Sequence, residues 1–255
     1  MKIEEMGNMG GKTLMLLPGT CCDWQTNFGS VLDILSEKYH LICVNYDGFD
    51  GSDSIFVDEI IETEKIEQYI IEKHNGRVDG AIGSSLGSSF VGQLIQRKRI
   101  HIDHGIFGSP DLDQSGKLFA WLQSKLVVPI LTSFTGSEKK QKKTKEKLKK
   151  TFLMSDETAE KFMECFAKFS VESIKNEYYT DLLAHLQEDI DVEHTKAHFI
   201  YANKMGEKYL KRYKKYFHNP DIREFDMQHE QWLFGEDEYS LPVLKAIDEF
   251  MEMPV

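Results

Sequence analysis

Val78-Asp79-Gly80-Ala81-Ile82-Gly83-Ser84-Ser85-Leu86-Gly87-Ser88-Ser89-Phe90-Val91-Gly92-Gln93 is the stretch around which the rest of the chain arranges itself. At its centre Gly83-Ser84-Ser85-Leu86-Gly87 is a G-x-S-x-G pattern. Before it runs a short apolar segment with Ala81 and Ile82. After it Leu86, Phe90, Val91, Leu94 and Ile95 recur at helical spacing. A strand, a turn too tight for large neighbours and then a helix is the arrangement known as a nucleophile elbow. Gly83 and Gly87 lack the Cβ atoms that would clash as the chain reverses. The spacing predicts Ser85 on the strained turn, hydroxyl projecting, with the helix N-terminus behind it. Taken alone, the pentapeptide fits a Gly/Ser-rich loop without chemistry equally well.

Working outward, residues 13–17 (T-L-M-L-L) read as a buried strand that runs into Pro18-Gly19. Gly10-Gly11-Lys12-Thr13 imitates the end of a phosphate-binding loop, but its required first glycine falls on Met6 and the run precedes its strand. Phe28, Val31, Leu32 and Leu35 form one helical face. Leu41 to Tyr46 is a second buried strand. It opens into an acidic loop, Asp47 to Asp53, that lacks the alternating ligands and closing glutamate of a calcium site and reads as a turn. A helix over Asp58–His74 stops at Asn75-Gly76.

Beyond the elbow helix, Gly105 to Gly108 is a short strand. His101-x-x-His104 sits just before it, without further ligands at metal spacing. His198 to Ala202 is another strand, then a polar helix from Glu207 to Phe217, a strand from Ile222 to Met227, and a loop Gln228-His229-Glu230. A helix after Ser240 buries Leu244, Ile247 and Met251. Strands alternating with helices at this rhythm predict an α/β chain with a mostly parallel sheet flanked by helices. Residues 1–110 and 195–255 form the expected core. Residues 111–194 break the rhythm, being almost wholly helical in pattern, and read as an α-helical insertion; Ser155 is its clearest N-cap. Between Glu138 and Lys150 stand eight lysines and two glutamates, a net charge of +6, so the rest of the chain carries −17. The bland explanation is a solvated helix face; the sharper one is a patch for an anionic substrate or surface.

With 255 residues, 41% of them hydrophobic, the chain has enough apolar material for one large domain carrying an insertion. A net charge of −11 argues against general nucleic-acid binding. Met1 to Gly11 is too polar for a signal peptide, and no 18-residue apolar run is present to span a membrane. Cys21, Cys22, Cys43 and Cys165 form no C-x-x-C pair and no zinc spacing. The expectation is a cytoplasmic protein with reduced thiols and no metal.

At this point the chain resembles the α/β-hydrolase superfamily, over nearly its whole length. Four landmarks fall in the family's order: Leu16-Leu17-Pro18-Gly19-Thr20 where an H-G-x loop usually stands, Tyr46 to Ser52 as its D-x-R-G-x-G-x-S turn, Gly83 to Gly87 as the elbow, and Gln228-His229-Glu230 as the G-H-x loop. The helical insertion then looks like the family's cap domain. The resemblance implies Ser85 as nucleophile and His229 as general base, with the N–H groups of Thr20 and Leu86 as oxyanion donors. The third member departs from the pattern. Met205 occupies the usual position of the acid; Glu207, two residues on, is the expected replacement, with Asp111, then Asp113, or a Ser–His dyad as alternatives.

The implied activity is a serine hydrolase that cleaves a small-molecule or acyl-chain ester or thioester through an acyl-enzyme, with no cofactor. Phe119, Trp121, Phe166 and Phe169 are expected to shape its acyl pocket. The competing reading is a hydrolase-fold ligand-binding or regulatory protein with vestigial catalysis, for which Met205 is the main argument.

Overall fold

The computed structural model describes residues 1–132, 138–152 and 154–255, apart from the side chains of residues 138, 151 and 152. Seven strands form one sheet: β1 (Lys2–Gly7), β2 (Thr13–Leu17), β3 (His40–Asn45), β4 (Arg77–Ser84), β5 (His101–Gly108), β6 (Lys196–Ala202) and β7 (Asp221–Phe225). Their spatial order is β1-β3-β2-β4-β5-β6-β7, and only β1 runs antiparallel to its neighbour. The interior strands are buried nearly throughout, as a sheet covered on both faces requires.

Side chains alternate between two cores. Met15, Leu17 and Ala81 enter one, with Ile66 and Ile70 of α3 (Glu59–His74) and Phe90 and Leu94 of α4 (Leu86–Arg97). Leu14, Leu16 and Ile82 enter the other, with Phe28 of α1 (Trp24–Phe28), Leu35 of α2 (Leu32–Lys38) and Leu244, Ile247 and Phe250 of α10 (Asp237–Met251). Between β5 and β6 lie α5 (Lys117–Leu131), α6 (Glu138–Phe152), α7 (Asp156–Ala167) and α8 (Val171–Asp181); α9 (Glu207–Tyr216) follows β6. Ser155 caps α7, its hydroxyl accepting from Thr158 N at 3.1 Å, and Asn75 ends α3 in the left-handed conformation.

Several expectations need correction. β1 is absent from the sequence reading because K-I-E-E-M-G has no clean apolar alternation; as a half-buried edge it is held by its ladder with β3. The helical face drawn through Phe28 to Leu35 is two helices, since α1 ends at Gly29. β5 begins at His101, so His101 and His104 lie within the strand. There His104 is buried, its Nδ1 3.1 Å from His198 Nε2, and among the described residues no His/Cys/Asp/Glu group is arranged to hold a metal. α10 starts at Asp237, ahead of Ser240, with Asp237 and Glu238 favouring its N-terminal turn and Pro242 accommodated inside it. No helix of the described residues is long and apolar enough to cross a membrane.

Candidate active site

Ser85 stands at the turn between β4 and α4 with φ 49° and ψ −112°. A non-glycine residue there is strained, and the surroundings hold it in place. Its N–H donates to Gly108 O and to Glu230 Oε1, both at 3.0 Å, and its carbonyl accepts from Ser88 N at 2.9 Å. The glycines are required by contact. A Cβ on Gly83 would lie 2.2 Å from the carbonyl carbon of Gly87, and one on Gly87 only 2.0 Å from Leu17 O. The helix can therefore pack back onto β2 and β4 only without side chains at these two positions.

His229 reaches the serine from the loop after β7. Its Nε2 is 3.1 Å from Ser85 Oγ, within reach for an imidazole to take the hydroxyl proton. Burial lowers the imidazole's pKa, opposed by the charge of Asp111 and a hydrogen bond with the backbone of Ser109. The ring is thus neutral near pH 7, the form a proton acceptor needs. Ser109, with φ 45°, is itself fixed by its N–H and hydroxyl, both donating to Ile200 O at 3.0 and 2.8 Å.

The loop after β2 closes the other side of the serine. Gly19 packs so near that a Cβ there would sit 3.5 Å from Ser85 Cβ. Three groups fix it: Gly19 N donates to Asn27 Oδ1 at 2.7 Å, Tyr46 Oη to Pro18 O at 3.2 Å, and Cys21 N to Glu177 Oε2 at 2.9 Å. Among the described residues, the N–H groups of Thr20 and Leu86 are engaged in no hydrogen bond, and Thr20 lines the cavity in front of Ser85. Tyr46 also stacks on Phe90 at 4.3 Å, tying the turn at 46–52 to the elbow helix.

That cavity, of about 270 Å³, has Gly19, Thr20, Ser85, His229 and Glu230 at its polar end. Its walls are Val127 and Leu131 of α5, Leu148 of α6, Met154, Phe162 and Phe166, with Phe234. Of the four aromatics expected there, only Phe166 lines it. Phe119 and Trp121 are exposed, and Phe169 stacks edge-on against Phe49 at 4.8 Å.

Glu207 is the acid expected behind His229. It is the exposed first residue of α9, because the chain leaves β6 through a 3₁₀ turn, Asn203–Met205, and Gly206. Asp111 is the carboxylate whose charge acts on His229. It is exposed, its Oδ1 accepts from Asp113 N at 3.1 Å, and its carbonyl accepts from Arg212 Nη1 at 2.6 Å. Asp113 pairs with Arg212 Nη2 at 2.5 Å.

Glu230 entered the sequence reading only as the last residue of the Gln228-His229-Glu230 loop, with no role of its own. It is buried, in the left-handed conformation (φ 55°), with Oε1 on Ser85 N and Oε2 accepting from Trp232 Nε1 at 3.1 Å. Burial pushes its carboxyl up to about 8, against hydrogen bonds from Ser85, Ser84 and Trp232. Asn27 and Glu177 were missed as well, since each acts from a remote element and no motif marks it.

No protein-family model matches the sequence, and comparison with curated proteins gave no match. Solved structures do match. A protein described as an α/β-hydrolase family member from Desulfitobacterium hafniense superposes with TM-score 0.73 at 16% identity, over 96% of this chain and 99% of that one. MenH from S. aureus gives 0.74 at 14% over 98% and 99%, and the Bacillus megaterium epoxide hydrolase 0.71 at 13% over 99% and 96%. The chain has the α/β-hydrolase fold: a seven-stranded, mostly parallel sheet flanked by helices.

Proposed function

We propose that the protein is a serine hydrolase that cleaves a carboxylic ester or thioester with an apolar acyl group. The observation that carries this is the 3.1 Å approach of His229 Nε2 to Ser85 Oγ at the head of an apolar cavity. His229 takes the Ser85 proton as Oγ attacks the carbonyl carbon, because a serine hydroxyl is a poor nucleophile at neutral pH. The oxyanion is held by the N–H groups of Thr20 and Leu86; each such donor typically lowers the barrier by about 3 kcal/mol. His229 returns the proton to the departing alcohol or thiol, and a water activated by the same ring then frees Ser85. Asp111 is the residue that stabilises the imidazolium, replacing the Glu207 of the sequence argument. The helices between β5 and β6 act as a cap whose inner face selects the acyl group.

Structures described as a marine microorganism esterase and as carboxylesterases of Nitrososphaera gargenis share the fold, at 14% and 12% identity, and fit this reading. Turnover of p-nitrophenyl butyrate and of a butyryl thioester tests it: activity lost in Ser85→Ala supports it, and equal activity in that variant overturns it. A second reading, a hydrolase-fold ligand-binding protein with vestigial catalysis, is favoured by Met205 at the usual acid position and by the exposure of Glu207.

A further inference from the structure

Two consecutive helices over the cavity carry outer faces that the fold itself does not use. On α5 the inward side is Ala120, Ser124 and Val128, with Val127 and Leu131 on the cavity. The opposite side exposes Leu118, Leu122 and Leu126 at i, i+4, i+8, flanked by Phe119 and Trp121; Leu118 and Leu126 are 73% and 72% exposed. Isolated exposed apolar residues are ordinary, but five on one helix face form a contiguous patch. The ammonium of Lys125 lies among them, 3.6 Å above the Trp121 ring.

α6 divides in the same way. Lys145 and Lys149 turn to α7, pairing with Glu160 at 2.5 Å and Asp156 at 2.9 Å, and Leu148 reaches the cavity. Lys139, Lys140, Lys143, Lys147 and Lys150 recur on the opposite, exposed side, and none of them is in an ion pair among the described residues. Glu146 is exposed there too, 3.9 Å from Lys149. Both helices turn their other side onto one cavity, so the apolar stripe of α5 and the lysine row of α6 each face away from it.

A stripe of leucine and aromatic side chains seeks hydrocarbon, and a row of lysines seeks anionic oxygen. An interface of acyl chains and anionic headgroups satisfies both at once, with lysine stems lying along the apolar layer. A nucleic acid would satisfy only the charges. The remaining −17 of the chain is repelled by an anionic surface, so the lysine row of α6 has to lead the approach. We propose that the apolar stripe of α5 and the lysine row of α6 together seat the protein on an anionic lipid bilayer. The inference stands apart from the hydrolase reading, since it uses neither Ser85 nor His229.

The test is sedimentation of the full chain with phosphatidylcholine vesicles and with the same vesicles containing phosphatidylglycerol. Binding should be at least about tenfold tighter to the anionic vesicles and weaken with salt. Trp121 emission should shift to the blue, and Trp121→Phe should abolish the shift, because Trp24 and Trp232 are already buried. Lys143→Gln/Lys147→Gln/Lys150→Gln should weaken binding about tenfold or more, and Leu118→Ser/Leu122→Ser/Leu126→Ser should remove the shift, both with unchanged far-UV circular dichroism. Equal binding to both vesicles, undiminished binding of the lysine variant, or a soluble dimer that buries Trp121 and ignores vesicles would each overturn the proposal. So would binding to duplex DNA in place of anionic vesicles.

Discussion

The carboxyl of Glu230 sits 3.0 Å from the backbone nitrogen of Ser85, so a buried acid touches the same residue whose hydroxyl faces His229. With its pKa pushed up to about 8 by burial, Glu230 is neutral at pH 7 and adds no negative charge where an oxyanion would develop. Ionisation above pH 8 places a charge there, so ester turnover should decline on the alkaline side. Glu230→Gln, which cannot ionise, should move that decline upward. The pH–rate profiles of the two proteins decide it, and an identical alkaline limb in both would remove Glu230 from the account.

The two candidate acids separate by substitution. Asp111 acts on the His229 ring and Glu207 is exposed. Asp111→Asn should lower kcat by roughly 10²- to 10⁴-fold, the range that follows loss of an orienting carboxylate, while Glu207→Gln should remain within about twofold of wild type. Steady-state kinetics of both variants suffices. The opposite ranking would return the role to Glu207.

Much of this was legible in the sequence, and the division has physical causes. β2 and the Leu41–Val44 centre of β3 have both faces covered and read as unbroken apolar runs, while β4 and β6 show shorter ones around Ala81-Ile82 and Phe199-Ile200. The tight turn at Gly83 to Gly87 leaves its mark in glycines because backbone would collide with any Cβ. β1 left no mark, because an antiparallel edge needs only a half-apolar strand. The role of Glu230 was hidden, and Asp111 stood only as an alternative to Glu207, for another reason. A carboxylate's partner is set by where loops meet in space: Glu230 meets Ser85 across 145 residues, and Asp111 leaves β5 on a separate loop from His229. Phe119 and Trp121 misled because helical spacing alone does not say which face of α5 turns inward.

Stability should fall as pH rises from about 6.5 to 8, above the range in which buried His104, His198 and His229, their pKa values lowered by burial, act in the opposite direction. Burial is the leading cause that pushes Glu177, Asp181 and Glu230 up to about 8, well above the ordinary glutamate or aspartate range. Over that interval the folded chain binds more protons than the unfolded one, so the native state loses stability with each step in pH and levels off above the folded pKa. Glu177→Gln keeps an acceptor for Cys21 N but cannot ionise, and should flatten the decline. Melting temperatures between pH 6.5 and pH 9 check this; a melting temperature that rises from pH 6.5 to pH 8 would contradict it.

Gly87→Ala should destabilise the fold by about 3 kcal/mol, the upper end of what overpacking costs, because the new methyl meets the Leu17 carbonyl at 2.0 Å and neither backbone can yield. At this chain length that corresponds to a melting temperature lower by roughly 10 °C. Calorimetry reads it directly, and a change of a degree or less would mean that the elbow is looser than drawn.

Every step proposed for this site requires Ser85 to be an activated nucleophile. Incubation with a fluorophosphonate probe, followed by intact-protein mass measurement, tests it without knowledge of the substrate. One phosphonyl adduct per chain is predicted for wild type, absent in Ser85→Ala and formed at least about a hundredfold more slowly in His229→Ala, in line with the contribution of a positioned general base. An unlabelled wild-type protein, or an adduct that persists in Ser85→Ala, would contradict it.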